Sequence, residues 1–135
     1  MATSRILLDT NVLLAGLFAP ERLPSTTQQV LADPSNEVFF SAASLWEIAI
    51  KCSLGRPDFT IPPRDVCLLA QETGFTELLI ESAHTFVLPT LPWHHKDPFD
   101  RLLVAQAMGL PAQLLTTDKA LAAYSPLVCV IPWDT

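Results

Sequence analysis

Short, unbroken apolar runs alternate along this chain with longer stretches of helical period. "RILLD" (5–9), "EVFFS" (37–41), "FTELLI" (75–80), "AQLLTT" (112–117) and "LVCVI" (127–131) are of strand length. Between them lie "NVLLAGLFA" (11–19), "TTQQVLAD" (26–33), "SAASLWEIAIKCSLG" (41–55) and "PRDVCLLAQETG" (63–74), which read as helices. "ESAHTFVL" (81–88) and "DKALAAY" (118–124) read as short helices, and "KDPFDRLLVAQA" (96–107) opens a long one that runs to Gly109. Gly55 with Pro57, and Gly74, supply stop signals. Strands that alternate with helices predict a parallel sheet covered on both faces. Continuous apolar strands, rather than alternating ones, point the same way. The expected fold is a three-layer α/β/α sandwich with a central parallel sheet of four to five strands.

Composition narrows the class. With 135 residues the chain is expected to be a single domain spanning 1–135, large enough for one proper core. Half of it is apolar and 16% charged, which excludes disorder and sits at the upper end of the usual apolar share. The longest apolar run, "VLLAGLFA", is far below the roughly 20 residues that span a bilayer. Asp9 interrupts the first apolar stretch, unlike a secretory signal. Cys52, Cys67 and Cys129 are odd in number and widely spaced, as isolated thiols in a reducing cytoplasm would be.

The acids fall in telling places. Asp9 ends the first strand, and Asp118 directly follows the fourth. Glu47 lies about two turns into the helix after the second strand. Asp97 and Asp100 open the long helix before the fourth strand. In open parallel sheets, ligands bind outside the carboxyl ends of the strands. Each acid also has a local structural reading. Asp9 with Asn11 suits an Asx-turn, "SLWE" (44–47) a capping box, and Asp97 an N-cap ahead of Pro98; Asp100 suits N3 of the same helix, and Asp118 a cap for "KALAAY". Taken together they suggest more. Glu47 and Asp100 are embedded in apolar helix sequence, where acids are rarely buried without a partner. Carboxylates converging on one sheet edge repel, and a divalent cation relieves that repulsion. An all-carboxylate set selects a hard ion, Mg²⁺ or Mn²⁺, and the adjacent His94 and His95 share no helix face that would favour zinc.

Four blocks, "LLDTNVLL", "SAASLWEIAIK", "HHKDPFDRLLVAQA" and "LLTTD", resemble the PIN domain, most of all the VapC-type toxin ribonucleases of bacterial toxin–antitoxin pairs. The resemblance runs the length of the chain. It implies that Asp9, Glu47, Asp100 and Asp118 are the catalytic quartet. Asp9 and Asp100 would hold Mg²⁺ (or Mn²⁺), with Glu47 and Asp118 acting through water or a second ion. Asn11, Asp97 and Thr116 are candidates for supporting roles, Asp97 lying outside the four usual positions. The implied activity is in-line cleavage of RNA leaving a 5′-phosphate, with inhibition of translation and neutralisation by a VapB-type antitoxin. The implied protein is a cytoplasmic homodimer. A DNA nuclease using the same metal chemistry and a silent interaction module are the alternatives.

The net charge of −6 runs against a nucleic-acid partner. However, five of the eight basic residues (Arg5, Lys51, Lys96, Arg101 and Lys119) lie within four positions of one of the quartet. Lys51 and Arg101 are the candidates for RNA phosphate contact, with simple pairing to nearby acids the other reading. A third expectation concerns "NVLLAGLFA": a helix apolar around most of its girth needs cover, from its own fold or from a partner chain.

Overall fold

The computed structural model describes residues 4–94 and 96–133. His95 lies outside the described residues. Five strands, β1 (Arg5–Leu8), β2 (Glu37–Ser41), β3 (Thr76–Leu78), β4 (Gln113–Thr116) and β5 (Val128–Val130), form one sheet in the order β3-β2-β1-β4-β5. Every pairing is parallel. Six α-helices accompany it among the described residues: α1 (Thr10–Phe18), α2 (Ser25–Ala32), α3 (Ala42–Ser53), α4 (Pro63–Thr73), α5 (Ser82–Val87) and α6 (Pro98–Gly109). No described helix is long and apolar enough to cross a membrane.

The two sheet faces follow from the period-2 geometry of β1. Ile6 and Leu8 point into one core with Val12, Phe40, Ile48 and Val66, which carry α1, α3 and α4. Leu7 points into the other, with Leu103, Val104 and Ala107 of α6. All three β1 residues are essentially fully buried. This is the expected three-layer arrangement, with five strands.

Segment ends depart from expectation by a few residues, for local reasons. "FTELLI" is paired only over Thr76–Leu78. Phe75 belongs to the end of α4 instead: its N–H donates to Ala70 O while the Gly74 N–H donates to Gln71 O. Gly74 has φ 101°, a conformation glycine adopts without strain. Leu79 and Ile80 leave the edge strand and are exposed. Asp9 does not end β1; it caps α1. "DKALAAY" forms a 3-10 turn, Lys119–Ala123, in place of an α-helix.

The strand order reverses beside β1: β2 lies on one side and β4 on the other. Such a switch point opens a crevice at the carboxyl ends of the two strands. Helices that follow a parallel strand begin at that edge, and a helix that leads into the next strand begins there too. α1, α3 and α6 therefore all present their N-terminal turns to the same crevice.

Candidate active site

Asp9 sits at the switch point. Its Oδ1 accepts the Val12 N–H at 2.9 Å, and its Oδ2 accepts a short hydrogen bond from the Thr116 hydroxyl on β4. The Thr116 Oγ1 in turn accepts the Asp118 N–H at 3.0 Å. Thr116 thus ties the two strand ends, and the acids just beyond them, into one unit. Asp9 is 5% exposed, and burial raises its carboxyl pKa from 3.8 to about 6. The Thr116 and Val12 hydrogen bonds work against that rise, while the negative charges of Glu47 and Asp118 add to it. Three of the four expected acids therefore share one local field.

Glu47 is buried on α3. Its Oε1 accepts the Thr10 hydroxyl at 2.7 Å, and Thr10 Oγ1 also lies 3.0 Å from Ser44 Oγ. Its Oε2 meets Lys51 Nζ at 2.5 Å, one turn along the helix. The capping-box reading of "SLWE" is incorrect. Ser41 is the N-cap, its Oγ accepting the Ala43 N–H at 3.0 Å, so Ser44 lies inside the helix and Glu47 has no cap to reach. Glu47 turns towards α1 instead.

Asp97 caps α6, with Oδ1 accepting the Phe99 N–H at 2.9 Å and the Asp100 N–H at 3.4 Å. Pro98 follows at the first helical position, as its missing N–H allows. Asp100 occupies the first turn, where helix amides favour negative charge. That turn meets α3 through Phe99, whose ring stands edge-on to Trp46 with centroids 5.0 Å apart. Asp118 caps the following 3-10 turn by accepting the Ala120 N–H at 2.9 Å. Asn11 is exposed on the first turn of α1.

The basic residues divide differently from expectation. Lys51 is committed to Glu47 and lies over the Phe59 ring at 4.7 Å. Arg101, the other candidate for phosphate contact, turns inward. It is 5% exposed, and its guanidinium donates to the carbonyls of Leu88, Leu91 and Pro92 and to the Tyr124 hydroxyl. Its planar fork suits this task of tying a loop to α6. Arg5 lies at the opposite end of β1 and donates to Leu110 O. Sequence reasoning missed Thr10 and Ser44. Their signal was available: Thr10 shares a stripe with Leu13, Leu14 and Leu17, and Ser44 lies one turn before Glu47 and Ile48.

Among the described residues, no three His, Cys, Asp or Glu side chains form a ready-made ion cage. The donors at the crevice are carboxylate oxygens with one acid held above its usual pKa by burial and like charge. This set fits Mg²⁺, which takes one or two carboxylates directly and fills its remaining positions with water and phosphate.

Solved structures share the fold. VapBC2 from Rickettsia felis bound to a DNA fragment from their promoter superposes with a TM-score of 0.69 at 17% identity, covering 96% of this chain and 99% of that one. VapBC-1 from nontypeable Haemophilus influenzae gives 0.58 at 18% identity, over 84% and 87% of the two chains. A domain of a functionally unknown protein from Methanocaldococcus jannaschii gives 0.57 at 16% identity, over 90% and 83%. No curated protein matches the sequence. Residues 6–125 match the family model described as the PIN domain, and with nearly the whole chain covered, this protein belongs to that family.

Proposed function

We propose that this protein is a metal-dependent endoribonuclease of the VapC toxin type, restrained by a VapB-type antitoxin. The observation that carries the reading is the shared field of Asp9, Glu47 and Asp118 at the sheet's switch point, where burial and like charge lift the Asp9 carboxyl to about 6. A site kept this rich in buried carboxylate is costly unless a cation joins it. Asp9 and Asp100 would hold Mg²⁺ (or Mn²⁺). When bound, the ion supplies Lewis-acid stabilisation of phosphoryl charge and lowers the pKa of an attacking water.

The chain's own residues supply the rest. The Thr116 hydroxyl donates a hydrogen bond to Asp9 and so favours the charged carboxylate that a cation needs. Glu47, fixed from one side by Thr10 and from the other by Lys51, orients the nucleophilic water. Asp118, whose carboxylate accepts the Ala120 N–H and whose charge acts on Asp9, takes part through water or a second ion. RNA rather than DNA is the substrate that the VapC-type reading implies.

The antitoxin reading rests on the likeness to VapBC complexes and on α1 itself. Phe18 is 43% exposed, and a groove of about 290 Å³ runs along the helix between Leu14, Phe18, Phe59 and Trp133, with Asn11 among its lining residues. An apolar antitoxin segment in that groove would cover α1 and end beside the site. A homodimer in the cytoplasm belongs to the same proposal.

Cleavage mapping on total RNA tests the function. Discrete cuts with Mg²⁺ and none with EDTA are expected; metal-independent cleavage, or faster cutting of single-stranded DNA, would refute it. Thr10→Val removes one hydroxyl while preserving shape. It should lower kcat about ten- to a hundredfold by loosening Glu47, at a stability cost of about 1 kcal/mol. An unchanged kcat would show that Glu47 needs no such support.

A further inference from the structure

Resting on that ribonuclease reading, we propose that Trp93 and Lys96 form a nucleotide subsite beside the cleavage centre, the indole stacking a base of the RNA strand and the ammonium holding a phosphate. Trp93 is 76% exposed, more than any other large apolar side chain described. An exposed indole offers a large apolar face with a preferred stacking geometry to a ligand. The ring is also held in place. The Arg101 guanidinium lies 3.9 Å from its centroid, and that guanidinium is itself fixed by three carbonyls and the Tyr124 hydroxyl. A ring fixed from below forfeits little freedom when a base stacks on it.

The surroundings specify the ligand. A pocket of about 350 Å³ is lined by Leu88, Pro89, Trp93, Lys96, Pro98 and Arg101. Among the described residues its lining has two cations and no carboxylate, in a chain whose net charge is −6. Lys96 is exposed and forms no ion pair among the described residues. An aromatic platform next to an available ammonium is how proteins take single-stranded nucleic acid without strict sequence preference. An apolar protein segment would use the platform but not the charge. The position fits a substrate already engaged at the acids: Pro98 and Arg101 flank Asp100 on the first turn of α6. The bound base would therefore belong to a neighbouring nucleotide, not to the one whose phosphate is attacked.

Steady-state cleavage of a single-stranded RNA with Mg²⁺ tests this, starting with the wild type. Trp93→Ala should raise KM roughly 5- to 100-fold, the loss appearing in KM and not in kcat. Trp93→Phe should recover part of it, which also guards against a folding artefact. Lys96→Gln should flatten the dependence of log KM on log salt by about 0.7. An unchanged KM in Trp93→Ala, in a wild-type enzyme that cuts RNA, overturns the subsite alone. If that variant keeps its KM but escapes antitoxin inhibition, the surface is a protein contact and the subsite is likewise overturned. A wild type that cuts no RNA removes the ribonuclease reading, and the subsite falls with it.

Discussion

Asp9→Asn should destroy RNA cleavage and, in metal-free buffer at pH 7.5, leave the protein more stable than the wild type. The activity loss follows from removing a carboxylate proposed to hold the cation; losing several kcal/mol of transition-state stabilisation corresponds to a fall in kcat of about 10³-fold or more. The stability gain follows from the raised pKa. A carboxyl at 3.8 when unfolded and about 6 when folded is favoured in its protonated form by the fold. That contribution is fully present below pH 3.8 and is lost as pH rises through about 6. At pH 7.5 the wild type therefore carries a buried charge that costs about 3 kcal/mol. Asparagine carries none, and its carbonyl still accepts the Val12 N–H. The gain in Tm should vanish at pH 4, where the wild-type carboxyl is largely protonated as well. Millimolar Mg²⁺ should reverse the order at pH 7.5 by stabilising the wild type alone. A variant no more stable than wild type at pH 7.5, or one equally stabilised by Mg²⁺, would sink this account of Asp9.

The layers and the sheet could be read in the sequence because the signals that determine them are local. β1 is four residues long, three of them apolar and buried, and α4 ends on a glycine that adopts positive φ. Strand order could not, since it depends on contacts between distant segments, such as Leu7 with Leu114. Local chemistry also misleads where two local patterns compete. Ser41 and Ser44 both suit an N-cap; the strand β2 runs up to Ser41 and leaves it the only serine at the boundary. The acids were legible as strand-end and helix-start residues that converge on one sheet edge, but the hydrogen bonds that link them were not. The Thr116 bridge from Asp9 to the Asp118 backbone spans more than a hundred residues of sequence. The basic residues were the least legible. A lysine or arginine near an acid in sequence can face solvent, pair with that acid, or turn inward. Lys51 does the second and Arg101 the third. What decides for Arg101 is a set of backbone carbonyls, and these have no signature in side-chain sequence.

Arg101 yields the other large effect. Arg101→Ala should cost about 3–5 kcal/mol, because it leaves the carbonyls of Leu88, Leu91 and Pro92 without the donors that satisfy them. It also removes the cation beneath Trp93 and opens a void beside α6. Against a usual total of about 5–15 kcal/mol, this brings the fold near its limit, and Tm should fall by roughly 10 °C or more. Arg101→Lys is the sharper comparison. Lysine keeps the charge but has no planar fork to reach three carbonyls and a hydroxyl together, so it should recover only a minor part of the loss. A surface residue that merely touched phosphate would behave in the opposite way. Lysine would then serve nearly as well as arginine, Tm would stay within about 2 °C in both variants, and only the salt dependence of RNA binding would change. Thermal melts of the two variants in metal-free buffer separate the cases, and a flat Tm in both would return Arg101 to the substrate-contact role that its place beside Asp100 suggests.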